Sequence, residues 1–335
     1  MVTYRGYKTS IIYKAESTFG TPVTPDTVVE GKVQTFTLNQ NNNLVRLTGL
    51  GEGRTETFVG LSDYECTWSM EYNPADFDFL QFGVGALSGA GSTADPYVLT
   101  EGVFRSASDF NTATIEVGSN DTSGGTHDVD IITSAIINSI GISLEVGQPL
   151  KLSLEGFGQK VISKATAPVT QTNNTNQIWM YQQGNWLWNG SAVGRVQSAT
   201  ININNNITPD VGRAIGSRFV QEFEPGLLKY DWVVVVKMTD TLATTMRDAF
   251  YGQANSPSEG VDPAEPTQYA AIMQLQQGTS SGDKRAQILL TDCTINDISK
   301  PVNIGDNLVE LTINGTAKNA TPDTGNKLFK WWTVT

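Results

Sequence analysis

One stretch of this chain occurs twice, and no other feature limits its fold as much. Val33-Gln34-Thr35-Phe36-Thr37-Leu38-Asn39-Gln40-Asn41-Asn42-Asn43 returns 163 residues later as Val196-Gln197-Ser198-Ala199-Thr200-Ile201-Asn202-Ile203-Asn204-Asn205-Asn206. Each copy runs on into a polar excursion rich in glycine and arginine. The first holds Arg46, Gly49, Gly51, Gly53 and Arg54, and the second Gly212, Arg213, Gly216 and Arg218. Phe58 or Phe223 follows, then Gly60-Leu61 or Gly226-Leu227. An alternating segment closes each copy: Tyr64, Cys66, Trp68, Met70 and Tyr72 in the first, Tyr230, Trp232, Val234, Val236 and Met238 in the second. Apolar residues at every second position predict half-buried strands.

The match continues downstream at a nearly constant offset. Ala113, Ile115 and Val117 align with Ala271, Met273 and Leu275. Thr133, Ala135 and Ile137-Asn138 align with Thr291, Cys293 and Ile295-Asn296. Leu150, Leu152 and Leu154 align with Val309, Leu311 and Ile313. One mostly β fold built twice is therefore expected. Each copy should carry a short helix: Asn73-Pro74 opens the first, with Phe77, Leu80 and Phe82 as its buried stripe, and Leu242, Met246 and Phe250 face inward in the second. Between the copies, aromatics alternate around Asn189-Gly190, which reads as a hairpin with Trp186 and Trp188 packed on core or on a neighbour. Residues 1–32 have little periodicity and read as an arm lying on a neighbour.

Composition narrows function by exclusion. With 34 Asp and Glu against 22 Lys and Arg, the net charge is −12, which opposes wrapping nucleic acid and suits a surface that must not hold it. Cys66 and Cys293 occupy different positions in the two copies and predict buried thiols, with no disulfide. No secretory leader and no long apolar run is visible, so synthesis in a cytoplasm without a membrane span is expected. One histidine, His127, and two separated cysteines leave no zinc set, and neither a Gly-x-Ser-x-Gly elbow nor a Walker loop occurs. The Asp76/Asp78 and Asp128/Asp130 pairs lack calcium-loop spacing and read as solvated faces. No catalytic, cofactor or metal residues are assigned.

The repeated Val-Gln-x-x-Thr-(Leu/Ile)-Asn-x-Asn-Asn-Asn segment, Glu16-Ser17-Thr18-Phe19-Gly20-Thr21-Pro22 near the start, and the Asn189-Gly190 lead-in to Val196-Gln197 together resemble the major tail tube proteins of long-tailed (siphovirus-like) phages and related archaeal tailed viruses. The resemblance implies a mainly β chain of two tandem tail-tube-like β-sandwich or half-barrel domains, each with one short flanking α-helix and a long inter-subunit loop. The implied layout is an N-terminal arm at 1–32, tube-like domains at 33–165 and 196–319, a linker with the Trp-rich hairpin at 166–195, and a C-terminal arm at 320–335. It further implies a virion tail component, made in the host cytoplasm, that stacks as rings around an acidic channel conducting DNA without binding it specifically. Tape-measure, tail-terminator and baseplate proteins are its implied partners. Two copies per chain predict three chains per ring. Glu65, Glu71, Glu145, Glu155 and Glu310 are the candidate channel-lining acids, and the two Gly/Arg excursions are the candidate contacts between subunits. The alternatives are another tail or capsid protein sharing the fold, such as a baseplate hub or decoration protein, a carbohydrate-binding tail module using Trp186 and Trp188, and an outer-membrane barrel, which the absent leader and the expected helices oppose.

Overall fold

A computed structural model describes residues 4–48, 56, 58–99, 111–121, 127–164, 168, 176–237, 250, 269–300, 310–318 and 329–335. The strands of the first half are β1 (Tyr4–Ala15), β2 (Thr27–Val28), β3 (Gly31–Leu47), β4 (Phe58–Pro74), β5 (Leu87–Ser88), β6 (Tyr97–Leu99), β7 (Ala113–Asp121), β8 (His127–Glu145), β9 (Lys151–Gly158) and β10 (Lys160–Lys164). The second half has β11 (Gly184–Trp188), β12 (Ser191–Ala192), β13 (Val196–Asn204), β14 (Lys229–Lys237), β15 (Tyr269–Gln276), β16 (Lys284–Ser299), β17 (Glu310–Ala317) and β18 (Phe329–Thr333).

Pairing is antiparallel and follows the same order in both halves. In the first, β2–β1–β7–β8–β10 forms an outer layer and β3–β4–β9–β8 an inner one. In the second, β12–β11–β15–β16–β18 is the outer layer and β13–β14–β17–β16 the inner one. The long strands β8 and β16 run through both layers. The halves meet where β13 adds to the free side of β8, from Ser198 opposite Glu145 to Asn204 opposite Ser139. One inner sheet therefore runs β3–β4–β9–β8–β13–β14–β17–β16 across the whole chain.

Irregularities recur at matching places. Gln34 is the extra residue between the Val33–Tyr72 and Thr35–Glu71 pairs, and Gln197 that between Val196–Val236 and Ser198–Val235. Each glutamine donates Nε2–H to the carbonyl two residues before it, Lys32 at 3.3 Å and Arg195 at 3.1 Å. Asn138 is skipped between Ile137–Gly156 and Ser139–Glu155, and Asn296 between Ile295–Gly315 and Asp297–Asn314. Ser134 and Asp292 sit at φ 48° and 50° on β8 and β16. Bulges set twist and re-aim side chains, so their placement is a specific property of a fold.

Trp68 and Trp232 lie opposite Gly156 and Gly315 on the neighbouring strands. A Cβ on either glycine would overlap the indole and the carbonyl oxygen of Ile136 or Thr294. Both tryptophans are 2% exposed or less, and burying an aromatic of this size contributes about 2–3 kcal/mol. The core lies between the layers: Phe79 meets Tyr13 of β1 edge-on at 4.9 Å and Trp68 of β4 at 6.1 Å.

Three expectations need correction. β1 is an outer-layer strand and no arm: it pairs β7 from Thr9 to Ala15 and buries Ile11, Ile12 and Tyr13. Those three residues are consecutive, so burial on both faces erased the alternation that would have marked the strand. The first expected helix is a single 3₁₀ turn, Asp78–Phe82. β4 runs on to Pro74, whose missing N–H is tolerated at a strand end. Phe77, Leu80 and Phe82 are nonetheless buried. Finally, Ala113 faces Ala135 and Tyr269 faces Cys293, so by strand position Ile115 corresponds to Ala271, two residues from the sequence match. A slip of two preserves which face each side chain takes, and the pattern could not register it. The second expected helix falls outside the described residues except for Phe250, which is helical.

Candidate functional site

The inner sheet buries one face and leaves the other open. On β4, Tyr64 to Tyr72 alternates buried aromatics and apolars with Glu65, Thr67, Ser69 and Glu71. The register carries that polar face across the sheet: Glu155 lies opposite Ser69 and Ser139, Glu145 opposite Ser198, and Glu310 opposite Lys237. All five acids named from the sequence thus stand on one face of one sheet. The same face holds two acids that the sequence reading missed, Asp231, and Asp297, which accepts from Asn314 Nδ2 at 3.3 Å. Asp231 follows from the Tyr230/Trp232 alternation, whereas only the completed register could place Asp297, because it follows the Asn296 bulge that shifts the strand's alternation. Lys32, opposite Asn73, and Lys151, Lys229 and Lys237 are the lysines along these paired segments, and Lys151 is tied to Glu71 at 2.9 Å. Seven acids against four lysines give this face −3 per chain. The rest of it is largely Ser, Thr, Asn and Val, with Phe157 opposite Thr67 and Gly141 opposite Asn202.

The second Gly/Arg excursion lies on the first half of its own chain through its arginines, while Val211 and Ile215 are exposed. Arg213 donates to Tyr64 O at 3.2 Å and approaches Asp63 at 3.5 Å and Asp210 at 3.1 Å. Arg218 stands 5.7 Å from the Tyr64 ring, donates to Asn42 Oδ1, and its carbonyl accepts the Tyr64 N–H at 2.9 Å. Gly212 is buried against the Glu222 backbone, where a Cβ has no room, and Gly216 turns at φ +96°. Ile207, Val220 and Phe223 bury against Ile136, with Phe19 and Phe157 packed around them. Asn205 completes the lock: it is 1% exposed and donates Nδ2–H to Gly83 O and Ile137 O at 2.8 and 2.9 Å.

The first excursion behaves differently. Its described part extends the β3–β4 hairpin, where Arg46 pairs with Glu56 at 3.1 Å in the open. Leu44, Val45, Leu47, Phe58, Val59 and Leu61 are all exposed there. Six large apolar side chains on one hairpin end make a patch of the kind that marks an interaction surface. Gly49, Gly51, Gly53 and Arg54 fall outside the described residues.

Trp186 and Trp188 form the expected hairpin, with Asn189 and Gly190 both at positive φ (48° and 78°), as a type I′ turn requires. They are 3% exposed and pack against Trp232 in tilted geometry, with ring centroids at 5.9 and 5.4 Å. Rings so buried present no face to a sugar.

Asp76 and Asp78 are not a solvated face. Desolvation raises both carboxyls, Asp76 to about 8 with Asp78 as its next cause, and Asp78 to about 6 with Glu30 as its next. Asp78 Oδ1 is buried without a hydrogen-bond partner. A carboxyl whose folded pKa is raised keeps its proton in the native state while the unfolded chain has lost it. Native stability is then fullest below about pH 4 and falls as pH rises towards 8. Asp76→Asn should flatten that slope, because the amide oxygen can still accept the Asp78 N–H. The expected gain over wild type is about 1–3 kcal/mol at pH 8–9 and near zero at pH 4, read from urea unfolding across pH. An equal effect at both pH values would rule out ionisation as the cause.

No helix among the described residues is long and apolar enough to cross a membrane. None of the curated proteins compared with this sequence matches it. Residues 6–325 match the sequence model of the family described as "Phage tail tube protein". With nearly the whole chain covered and a mainly β architecture in place, the protein belongs to the phage tail tube protein family.

Proposed function

We propose that the chain is a duplicated tube subunit, with three copies closing into a ring and rings stacking into the tail tube through which DNA leaves the virion. The observation that carries this is the β8–β13 junction: two halves with the same pairing order and matching bulges are already joined, edge to edge, into one inner sheet. Eight inner strands per chain give twenty-four for three chains, and six halves complete the ring. A head-to-tail contact that repeats by rotation either closes into a ring or runs on as a filament.

On this reading the open face of the inner sheet is the channel wall. Its acids Glu65, Glu71, Glu145, Glu155 and Glu310 repel phosphate, and its short hydroxyl and amide side chains offer no cation for counterion release, so duplex DNA slides past. The apolar end of the β3–β4 hairpin contacts a neighbouring subunit or ring. The subunit is structural and catalyses nothing, and tape-measure, terminator and baseplate proteins meet its rings. Purified protein at high concentration should form rings or tubes with three-fold averages in electron microscopy. A chain that stays monomeric at every concentration and ionic strength tried would sink the reading.

A further inference from the structure

In the first half, the outward face of the outer layer lies under a strap of the same chain. Residues 16–26 leave β1 and cross β7 and β8, where Val23 N–H donates to Thr114 Oγ1 at 3.0 Å and Gly20 N–H to Ser134 Oγ at 2.6 Å. The strap brings a carboxylate with it, Glu16, which accepts from Thr114 Oγ1 at 2.7 Å. Ile12, Thr114 and Glu116 point away from the core on this face and are 1% exposed or less. Glu116 is a second, fully buried carboxylate, and Lys164 reaches it at 3.2 Å, as a charge so placed requires. The second half has no counterpart of the strap: β11 turns at Asn189-Gly190 straight into β12, and β13 follows at Val196.

The matching face of the second half is therefore more open. Trp186, Met273, Ile288 and Trp331 turn into the core, so the residues between them on β11, β15, β16 and β18 turn out. The register sets Leu187, Ile272 and Leu289 in one row across this face, and Gln276, Arg285 and Trp332 in another. Lys330 stands between the rows, opposite Gln287. All of these residues are half-buried. Counted from the equivalent residues Ser134 and Asp292, Ile272 takes the place of Glu116 and Lys330 that of Lys164. The lysine is kept and its carboxylate is gone. Lys330 Nζ stands instead 5.2 Å from the centre of the Trp332 ring. Trp332 Nε1 and Arg285 Nε, on residues paired across the strands, are buried without a hydrogen-bond partner, and buried donors call for an acceptor.

We propose that this face binds an extended segment of another protein that presents a carboxylate to Arg285, Lys330 and Trp332, in the place that the strap and Glu116 hold in the first half. Charge supports the choice of partner: among its described residues the face has two cations and no acid, in a chain of net charge −12. So does composition, because an indole and a guanidinium set among uncharged side chains are what mark the core of a protein interface. Bonds from guanidinium and ammonium groups to one carboxylate are charge-assisted, and the Leu187–Ile272–Leu289 row gives the segment apolar cover beside them. The inference goes beyond the ring reading. The face points away from the inner sheet, so a three-chain ring carries three such faces on its outside.

The probe is a dye-labelled peptide alternating glutamate and threonine, which in extended form sets its carboxylates on one face. It is titrated with the free chain at low salt and read by fluorescence anisotropy. Saturable binding is expected, with none for the peptide alternating glutamine and threonine. Arg285→Gln and Lys330→Gln should each weaken binding about tenfold or more, as losing a hydrogen bond to a charged group does, with the urea midpoint unchanged. Ile272→Glu should abolish binding by setting a carboxylate of the chain beside Lys330, while Ile272→Val leaves it intact. Absence of saturable binding, or binding that survives both glutamine substitutions, overturns the proposal. Polyglucuronate bound in preference to the peptide overturns it in favour of an acidic glycan. The free chain is the species titrated, so a failure to form rings leaves this proposal standing, and a peptide that does not bind leaves the ring reading intact.

Discussion

Replacing Glu65, Glu71, Glu145, Glu155 and Glu310 together by lysine is expected to leave tubes standing and to turn them into DNA traps. The open face of the inner sheet goes from seven acids and four lysines, −3 per chain, to two acids and nine lysines, +7. Three chains take one ring's wall from −9 to +21. The fold should tolerate this, because Glu65, Glu145, Glu155 and Glu310 are exposed and Glu71 is tied only to Lys151 across a solvated pair, an interaction worth about 0–1 kcal/mol. The channel should not. Each phosphate that meets a lysine releases a counterion, and six to ten such contacts lower affinity by about 10³–10⁵ between 50 and 200 mM salt. Assembled variant tubes should therefore retain short duplex DNA at low salt and release it as salt rises, while unmodified tubes retain none at any salt. Particles carrying the variant should adsorb normally and fail to deliver their genome. Variant tubes with no affinity for DNA would place the open face outside the channel and move the wall elsewhere on the subunit.

What the sequence made legible was whatever a period of two can encode. The strand from Tyr64 to Tyr72, the Trp186–Trp188 hairpin and the place of each of the five glutamates on the polar side of its own strand could be read from alternation and turn chemistry; that the five share one face came from the register. Three kinds of feature could not. β1 hides its period because Ile11, Ile12 and Tyr13 are buried in succession. Asp297 stands on the open face only because the bulge at Asn296 shifts the strand by one. Asp76 and Asp78 look like surface acids in a chain with 34 of them, and only the packing of the 3₁₀ turn encloses them. The two Gly/Arg excursions show a fourth limit. Similar composition gave similar expectations, yet one lies on the neighbouring half through Arg213 and Arg218 while the described part of the other extends a hairpin with exposed apolar residues. That difference belongs to the neighbours available in one chain, which composition does not encode.

Glu16→Ala is expected to cost about 3–5 kcal/mol and to loosen the two halves from each other. The carboxylate of Glu16 accepts four hydrogen bonds: from Thr112 Oγ1 at 3.0 Å, Thr114 Oγ1 at 2.7 Å, Ser134 N at 2.9 Å and Ser134 Oγ at 2.7 Å. Thr112, Thr114 and Ser134 are 3% exposed or less, so their donors have no water to turn to when the acceptor goes. Bonds to a charged acceptor are worth about 1.5–3 kcal/mol each, and buried orphaned donors cost about 1–3 kcal/mol. The loss from the cluster is less than the sum, because Ser134 contributes two of the four donors. Ser134 also holds φ 48°, a conformation costing of order 1–3 kcal/mol for a residue other than glycine, which persists only while its surroundings enforce it. The same turn fixes Gly20 through its N–H to Ser134 Oγ at 2.6 Å, and so places Phe19 edge-on to Phe223 at 5.5 Å. The segment Glu16 to Pro22 thus anchors the surface on which the second excursion rests. Urea unfolding should show the full loss for Glu16→Ala and a smaller one, about 1–2 kcal/mol, for Glu16→Gln, which keeps one acceptor oxygen but turns the other into a donor. Limited proteolysis should cut Glu16→Ala first between residues 205 and 228. Cleavage confined to other loops, or a stability unchanged by Glu16→Ala, would remove Glu16 from this role.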